Sequence, residues 1–178
     1  MGPLLEYNNT NEKAKEFLAC VNNVFPQRTS YYREVKLLMD GRIICINYLI
    51  KEIKIYKLIN NYFILDLQFS RENEDRGPTT LCEIEENIIL FGDYMKLDLI
   101  DIRNNTVILL QRIKFKYQSF IKNVIKLSDG LIAMNNNTDI VFFKYDKNNK
   151  KIEKVGEIAT KSYIHRIWEV NNGFILAA

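Results

Sequence analysis

One short phrase is written three times in this chain: LMDGRIIC at residues 38–45, LSDGLIAM at 127–134 and VNNGFILA at 170–177. A fourth copy, IEENIILF at 84–91, carries Asn where the others carry Gly. Gly41, Asn87, Gly130 and Gly173 are therefore equivalent turn positions, spaced about 43 to 46 residues apart. Gly, and next to it Asn, tolerates the positive φ that a tight turn imposes. Two residues after each turn position stand Ile43, Ile89, Ile132 and Ile175. Three before it stand Leu38, Ile84, Leu127 and Val170, and six before it Val35, Leu81, Val124 and Ile167. Every column is aliphatic, which an Ile-rich composition alone would rarely deliver, so the copies are structural units that bury the same positions.

Each unit reads as four strands, because short β-branched runs bounded by turn residues are what buried or half-buried strands look like. The first runs up to the turn and the second leaves it: YREVKLL into RIICI, TTLCEI into IILF, IKNVIKL into LIAM, IHRIWEV into FILA. A third strand follows as KEIKIYKL, KLDLIDI or DIVFFKY. The pairs Asn60-Asn61, Asn104-Asn105 and Asn148-Asn149 then suit tight hairpins that need positive φ. YFILDLQF, TVILLQRIKF and KIEKVGEI supply the fourth strand.

Four antiparallel strands in about 43 residues is the length and content of one propeller blade. Over residues 31–178 the chain resembles the WD-repeat β-propeller family in period and pattern. The Gly-His and Trp-Asp dipeptides of that family are absent; Tyr145-Asp146, where the third strand of its unit ends, is the nearest match. Tyr56-Lys57 and Ile102-Arg103 depart from it at the equivalent places. The expected fold is all-β: a propeller-like array of blades over about 31–72, 79–115 and 119–160, with a partial fourth over 163–178. A β-sandwich or an open β-array is the alternative. Because the fourth unit stops after its second strand, the chain is expected not to close a ring by itself. Residues 1–30 differ in kind: Ala14, Phe17, Leu18, Val21 and Phe25 fall at helical spacing before Pro26, which predicts a short amphipathic helix.

Chemistry is sparse. His165 is the single histidine, so His-based triads and His-rich metal sites within the chain are nearly excluded, and no phosphate-cradling Gly-rich loop exists. No catalytic, cofactor or metal residues are expected. Cys20, Cys45 and Cys82 are odd in number and set in apolar surroundings, the pattern of buried thiols rather than of a disulfide framework. With 178 residues, 47% apolar and 26% charged, and without a basic-then-apolar leader or a membrane-length apolar run, the chain reads as a cytoplasmic or nuclear globular protein.

The function expected on these grounds is a non-enzymatic scaffold that binds other protein subunits, with no small-molecule substrate and no membrane. The resemblance implies partner contacts on the loops from the fourth strand to the next blade and from the second strand to the third. Those loops carry Tyr48, Arg76, Tyr94, Tyr117, Phe120 and Tyr163, aromatic and Arg side chains of the kind that anchor interfaces. Each has the competing role of simple packing against a neighbouring blade. The alternative function is an RNA- or ribonucleoprotein-associated subunit. It rests on the net charge of +3 and on RIKFKYQSF at 112–120, where Arg112, Lys114 and Lys116 alternate with apolar residues. Lysines on an outer strand also serve as ordinary protection of an edge.

Overall fold

The structure, a computed structural model, describes residues 32–47, 49–60, 62–70, 77–115, 120–170 and 174–178. Among the described residues all regular elements but one are strands. β1 (Tyr32–Leu37), β2 (Ile43–Asn47), β3 (Glu52–Ile59) and β4 (Tyr62–Ser70) form one antiparallel sheet in sequence order. The second sheet is built likewise from β5 (Thr80–Glu85), β6 (Ile88–Gly92), β7 (Lys96–Asp101) and β8 (Ile108–Lys114). The third comprises β9 (Asn123–Lys126), β10 (Ile132–Asn135), β11 (Asp139–Asp146) and β12 (Lys151–Ala159), and β13 (Ile167–Val170) with β14 (Phe174–Ala177) forms a two-stranded fourth. The exception is a single 3-10 turn at Arg103–Asn105. The helix expected before Pro26 lies outside the described residues. Among the described residues no helix is long and apolar enough to cross a membrane.

The sheets stack face against face, with their first strands β1, β5, β9 and β13 side by side. Leu38, Ile44, Ile46, Ile53 and Ile55 of the first sheet meet Leu81, Ile89, Phe91, Ile100 and Ile102 of the second. Ile84, Leu90, Leu97 and Leu99 of the second meet Val124, Ile132, Met134, Val141 and Phe143 of the third. Leu127, Ala133 and Ile140 of the third meet Ile164, Ile167 and Ile175 of the fourth. The aliphatic columns are thus the two faces of each blade: the column six before the turn looks back, and the column three before it looks forward. Ile89 and Ile132 are fully buried between blades, whereas Ile43 is buried on the opposite face of the first sheet with Cys45, Tyr56 and Phe63. In the fourth sheet the forward face is open, with Val170 43% and Leu176 54% exposed where Leu38, Ile84 and Leu127 are buried in the other blades.

The turns obey the backbone argument. Gly41, Asn87 and Gly130 have φ of +86°, +65° and +89°. At the third-to-fourth-strand hairpins, Asn60, Asn104 and Asn105 take positive φ as expected, but in the third blade that conformation falls on Lys150 instead of Asn148-Asn149. There Asp146 Oδ1 accepts the backbone N–H groups of Asn148 and Asn149 at 2.9 and 3.2 Å, so the side chain closes the turn one step earlier.

Two further columns emerge only in three dimensions. Seven residues before the turn stand Glu34, Thr80 and Asn123, each of which accepts a backbone N–H from the next blade: Leu81 at 2.7 Å, Val124 at 3.4 Å and Ile167 at 3.3 Å. A buried N–H without an acceptor costs about 1–3 kcal/mol, so these staples satisfy the inner edge of each following strand. Six residues after the turn stand Asn47, Asp93 and Asn136, whose side-chain oxygens each accept two backbone N–H groups of the β2–β3, β6–β7 and β10–β11 turns. They shape the loop ends on the side of the blades away from the Gly41, Asn87 and Gly130 turns.

Candidate functional site

Two places bring chemistry together, at opposite ends of the strands. The first is a cleft of about 360 Å³ where the three first strands converge, lined by Lys36–Met39 of the first blade, Leu81–Glu83 of the second and Val124–Lys126 of the third. Strand alternation explains its mixture: the same segments send aliphatic columns into the blade interfaces and the residues between them toward the shared axis. Lys36 sits beside Glu34 at 2.9 Å and donates to the carbonyl of Leu81. Lys126 Nζ donates to the carbonyl of Ile84 at 2.7 Å. Glu83 accepts the backbone N–H of Met39 at 2.6 Å and that of Asn87 at 3.1 Å. Burial pushes the Glu83 carboxyl above its ordinary value, although those two N–H groups favour the charged form. Burial likewise raises the Cys82 thiol, which makes it a packing group rather than a nucleophile. Two ammonium groups, that of Lys36 already paired with Glu34, the Glu83 acid and an apolar wall of Leu37, Leu38, Met39, Leu81, Val124 and Ile125 can hold a small anion and move a proton beside it.

The second place lies at the other end of the blades. Tyr94, on the β6–β7 turn, meets Phe120 edge-on with ring centroids 5.1 Å apart. The Lys122 ammonium lies 4.6 Å from the Phe120 centroid and 5.2 Å from that of Tyr163. Tyr163 meets His165 at 4.7 Å. Of the loop residues marked by the sequence, Tyr94, Phe120 and Tyr163 are therefore drawn into one cluster, while Tyr48, Arg76 and Tyr117 lie outside the described residues. Sequence reasoning does not find Lys122 or assign His165 to a site. Lys122 stands at the foot of a strand in an unremarkable apolar run, and nothing but the blade register places it between two loops.

Of the basic stretch at 112–120, residues 116–119, Lys116 among them, lie outside the described residues. Arg112 is held by Asp98 through two parallel hydrogen bonds of 2.7 and 2.9 Å, so its guanidinium serves the sheet. Among the described residues no group of three His, Cys, Asp or Glu side chains is placed to hold a metal ion.

No family model and no curated protein matches the chain by sequence. Solved structures do match in fold. A candidate 6-phosphogluconolactonase from Bacteroides fragilis is 15% identical at a TM-score of 0.69, covering 86% of this chain and 49% of its own. Virginiamycin B lyase from Staphylococcus aureus is 13% identical at 0.63, covering 86% of this chain and 50% of its own. The WD40 repeats of RRP9 are 12% identical at 0.59, covering 76% and 43%. The chain spans about half the length of these structures. At such identities the likeness establishes a β-propeller-like fold, and the resemblance to WD repeats narrows to that fold, since lactonase-like and lyase propellers share it. The expected non-enzymatic scaffold is corrected on the same ground: structures named for a lactonase and a lyase share this blade array.

Proposed function

We propose that this chain supplies part of the binding and catalytic surface of a propeller enzyme acting on a small anionic substrate at the cleft between its first strands. The observation that carries this reading is the convergence of Lys36, Lys126 and the raised-pKa acid Glu83 on one cleft. Opening a lactone and eliminating across a carbon–carbon bond, the reaction types named for the lactonase and lyase neighbours, both build negative charge on oxygen and require a proton to be moved. Ammonium groups stabilise the first, and a carboxyl whose pKa is raised by burial serves the second. In this role Lys36 and Lys126 position the anion and Glu83 is the proton carrier.

The test is a turnover assay of the purified protein with a sugar δ-lactone, read as acid release, alongside calorimetric titration with the corresponding sugar acid and its 6-phosphate. Binding that is lost in Lys126→Met, and turnover that is lost in Glu83→Gln while binding persists, support the reading. Equal turnover by parent and Glu83→Gln, or no binding of either acid, overturns it.

A further inference from the structure

The cluster at the opposite end of the blades carries a second inference, independent of the axial cleft. Beneath it lie two amide side chains with acceptors to spare. Asn135 is fully buried; its Nδ2 donates to the carbonyls of Ile164 at 3.2 Å and Asn136 at 3.3 Å. Its main-chain carbonyl takes the N–H of Lys122 at 3.0 Å, and the carbonyl of Asn137 takes the N–H of Ile164 at 2.8 Å. Both residues therefore stand directly under the Tyr163–His165 loop and the base of Lys122. Yet Asn135 Oδ1 and Asn137 Oδ1 are buried and accept no hydrogen bond from the described residues. A buried oxygen left in that state costs about 1–3 kcal/mol, and native proteins rarely leave one without a use.

The demands of the site are mutually restrictive. The orphan oxygens call for hydrogen-bond donors. Lys122, which no carboxylate pairs with among the described residues, calls for an acceptor with negative charge. The rings of Phe120 and Tyr163, the latter 48% exposed, call for a flat face of C–H groups. Sulfate offers acceptors only, hydrogen phosphate offers O–H donors but no flat C–H face for the rings, and an amine offers donors but is repelled by Lys122. A polyhydroxylated ring bearing an anionic group meets all three demands: hydroxyls donate downward through a bridging water, the anion meets Lys122, and the ring face packs on Tyr163. We infer that this end of the blades is a binding site for an acidic or phosphorylated saccharide, built by Phe120, Lys122, Asn135, Asn137, Tyr163 and His165.

His165, the only histidine, gives the site its own reporter, because the imidazole signals of the protein are unambiguous in a proton–nitrogen spectrum. The full chain is titrated with glucuronate, glucose 6-phosphate, glucose and inorganic phosphate while those signals are followed. Saturable shifts with both charged sugars, at least tenfold weaker binding of glucose and no saturation with inorganic phosphate are expected. Lys122→Met, which keeps the alkyl stem between the rings, should weaken the charged sugars at least tenfold, and Lys122→Arg should restore them. Lys126→Met, in the axial cleft, should leave the His165 shifts unchanged even where it weakens binding at that cleft. The proposal is overturned if inorganic phosphate shifts His165 as tightly as the sugars do. Absence of any saturable shift, or loss of the shift only in Lys126→Met, overturns it equally.

Discussion

The Glu34 carboxylate accepts the backbone N–H of Leu81 at 2.7 Å, across the boundary between the first and second blades. Lys36, its ion-pair partner, donates to the carbonyl of that same Leu81. One acid and one base thereby grip both polar groups of a single residue on the neighbouring sheet. Glu34→Ala should cost about 1–3 kcal/mol in denaturant unfolding, and the Leu81 amide should lose hydrogen-exchange protection before its strand neighbours. Thr80→Val, which removes the 3.4 Å contact to Val124, should cost less. A Glu34→Ala protein as stable as the parent would show that the contact adds nothing.

Gly92 is fixed by space and not by backbone angle. A Cβ there would lie 2.6 Å from Ile121 Cγ2 and 2.8 Å from Thr80 Cγ2, both buried between the second and third blades. Gly92→Ala should therefore destabilise by about 1–3 kcal/mol through overpacking, and Gly92→Ala with Thr80→Ser, which removes the Thr80 Cγ2 and keeps its hydroxyl, should recover part of it. At Gly41 the opposite holds, since no atom lies near the added carbon and only φ of +86° resists. Gly41→Asn should be milder than Gly41→Ala. Urea midpoints of the four variants check the ordering.

Acid should unfold the protein from the carboxylate side. The Arg103 hydrogen bonds hold Asp101 well below the usual carboxylate range. At Asp66, burial pushes upward, but Lys57 and Arg42 outweigh it and the net shift is down. Both folded values lie below the unfolded value of about 3.9, so this stability is complete above that pH and is lost as pH falls toward the folded values. Glu83 has the reverse sign: its raised folded value favours the native state at low pH, and that contribution is lost as pH rises through it. Asp101→Asn should flatten the acid limb of a stability profile measured from pH 2 to 8, and Glu83→Gln should flatten the rise of the opposing term. An acid limb unchanged in Asp101→Asn would assign the loss to other groups.

Neither described thiol should react while the protein is folded. Burial pushes Cys45 up to about 12, and Cys82 is also raised. In a Cys20→Ser background at pH 8, a disulfide reagent should label Cys45 and Cys82 only at the rate of blade opening, speeding up in step with urea-induced unfolding. Rapid labelling in water would mean that the first two blades open locally.

What the sequence disclosed and what it hid have a common physical reason. Apolar burial is indifferent to which aliphatic residue performs it, so Leu, Ile and Val fall into visible columns, and the turns, strands and blade faces are legible from them. The staples perform one task with three chemistries, a carboxylate, a hydroxyl and an amide at Glu34, Thr80 and Asn123, so no column of like residues announces them. The acceptors Asn47, Asp93 and Asn136 are nearly uniform, yet they are hard to pick out because the chain is rich in Asn. The axial charges elude the pattern for a related reason: Lys36 stands five residues before its turn, but Glu83 and Lys126 stand four before theirs. Tyr94, Phe120 and Tyr163 are legible as loop aromatics, whereas Lys122 gains its place only from the docking of one blade on the next.

Because every staple joins a side chain on one blade to the main chain of the next, the receiving blade needs no particular residue at the point of contact. Leu81, Val124 and Ile167 contribute only an amide that any residue but proline possesses. Such a junction constrains the donating side chain and leaves the sequence of the receiving strand free. Arg166 occupies the same position in the fourth unit and cannot accept, its guanidinium lying 5.7 Å from the Trp168 ring. The succession rule that runs through three junctions is there reversed, and any surface that docks on the fourth sheet must bring the electron pair itself.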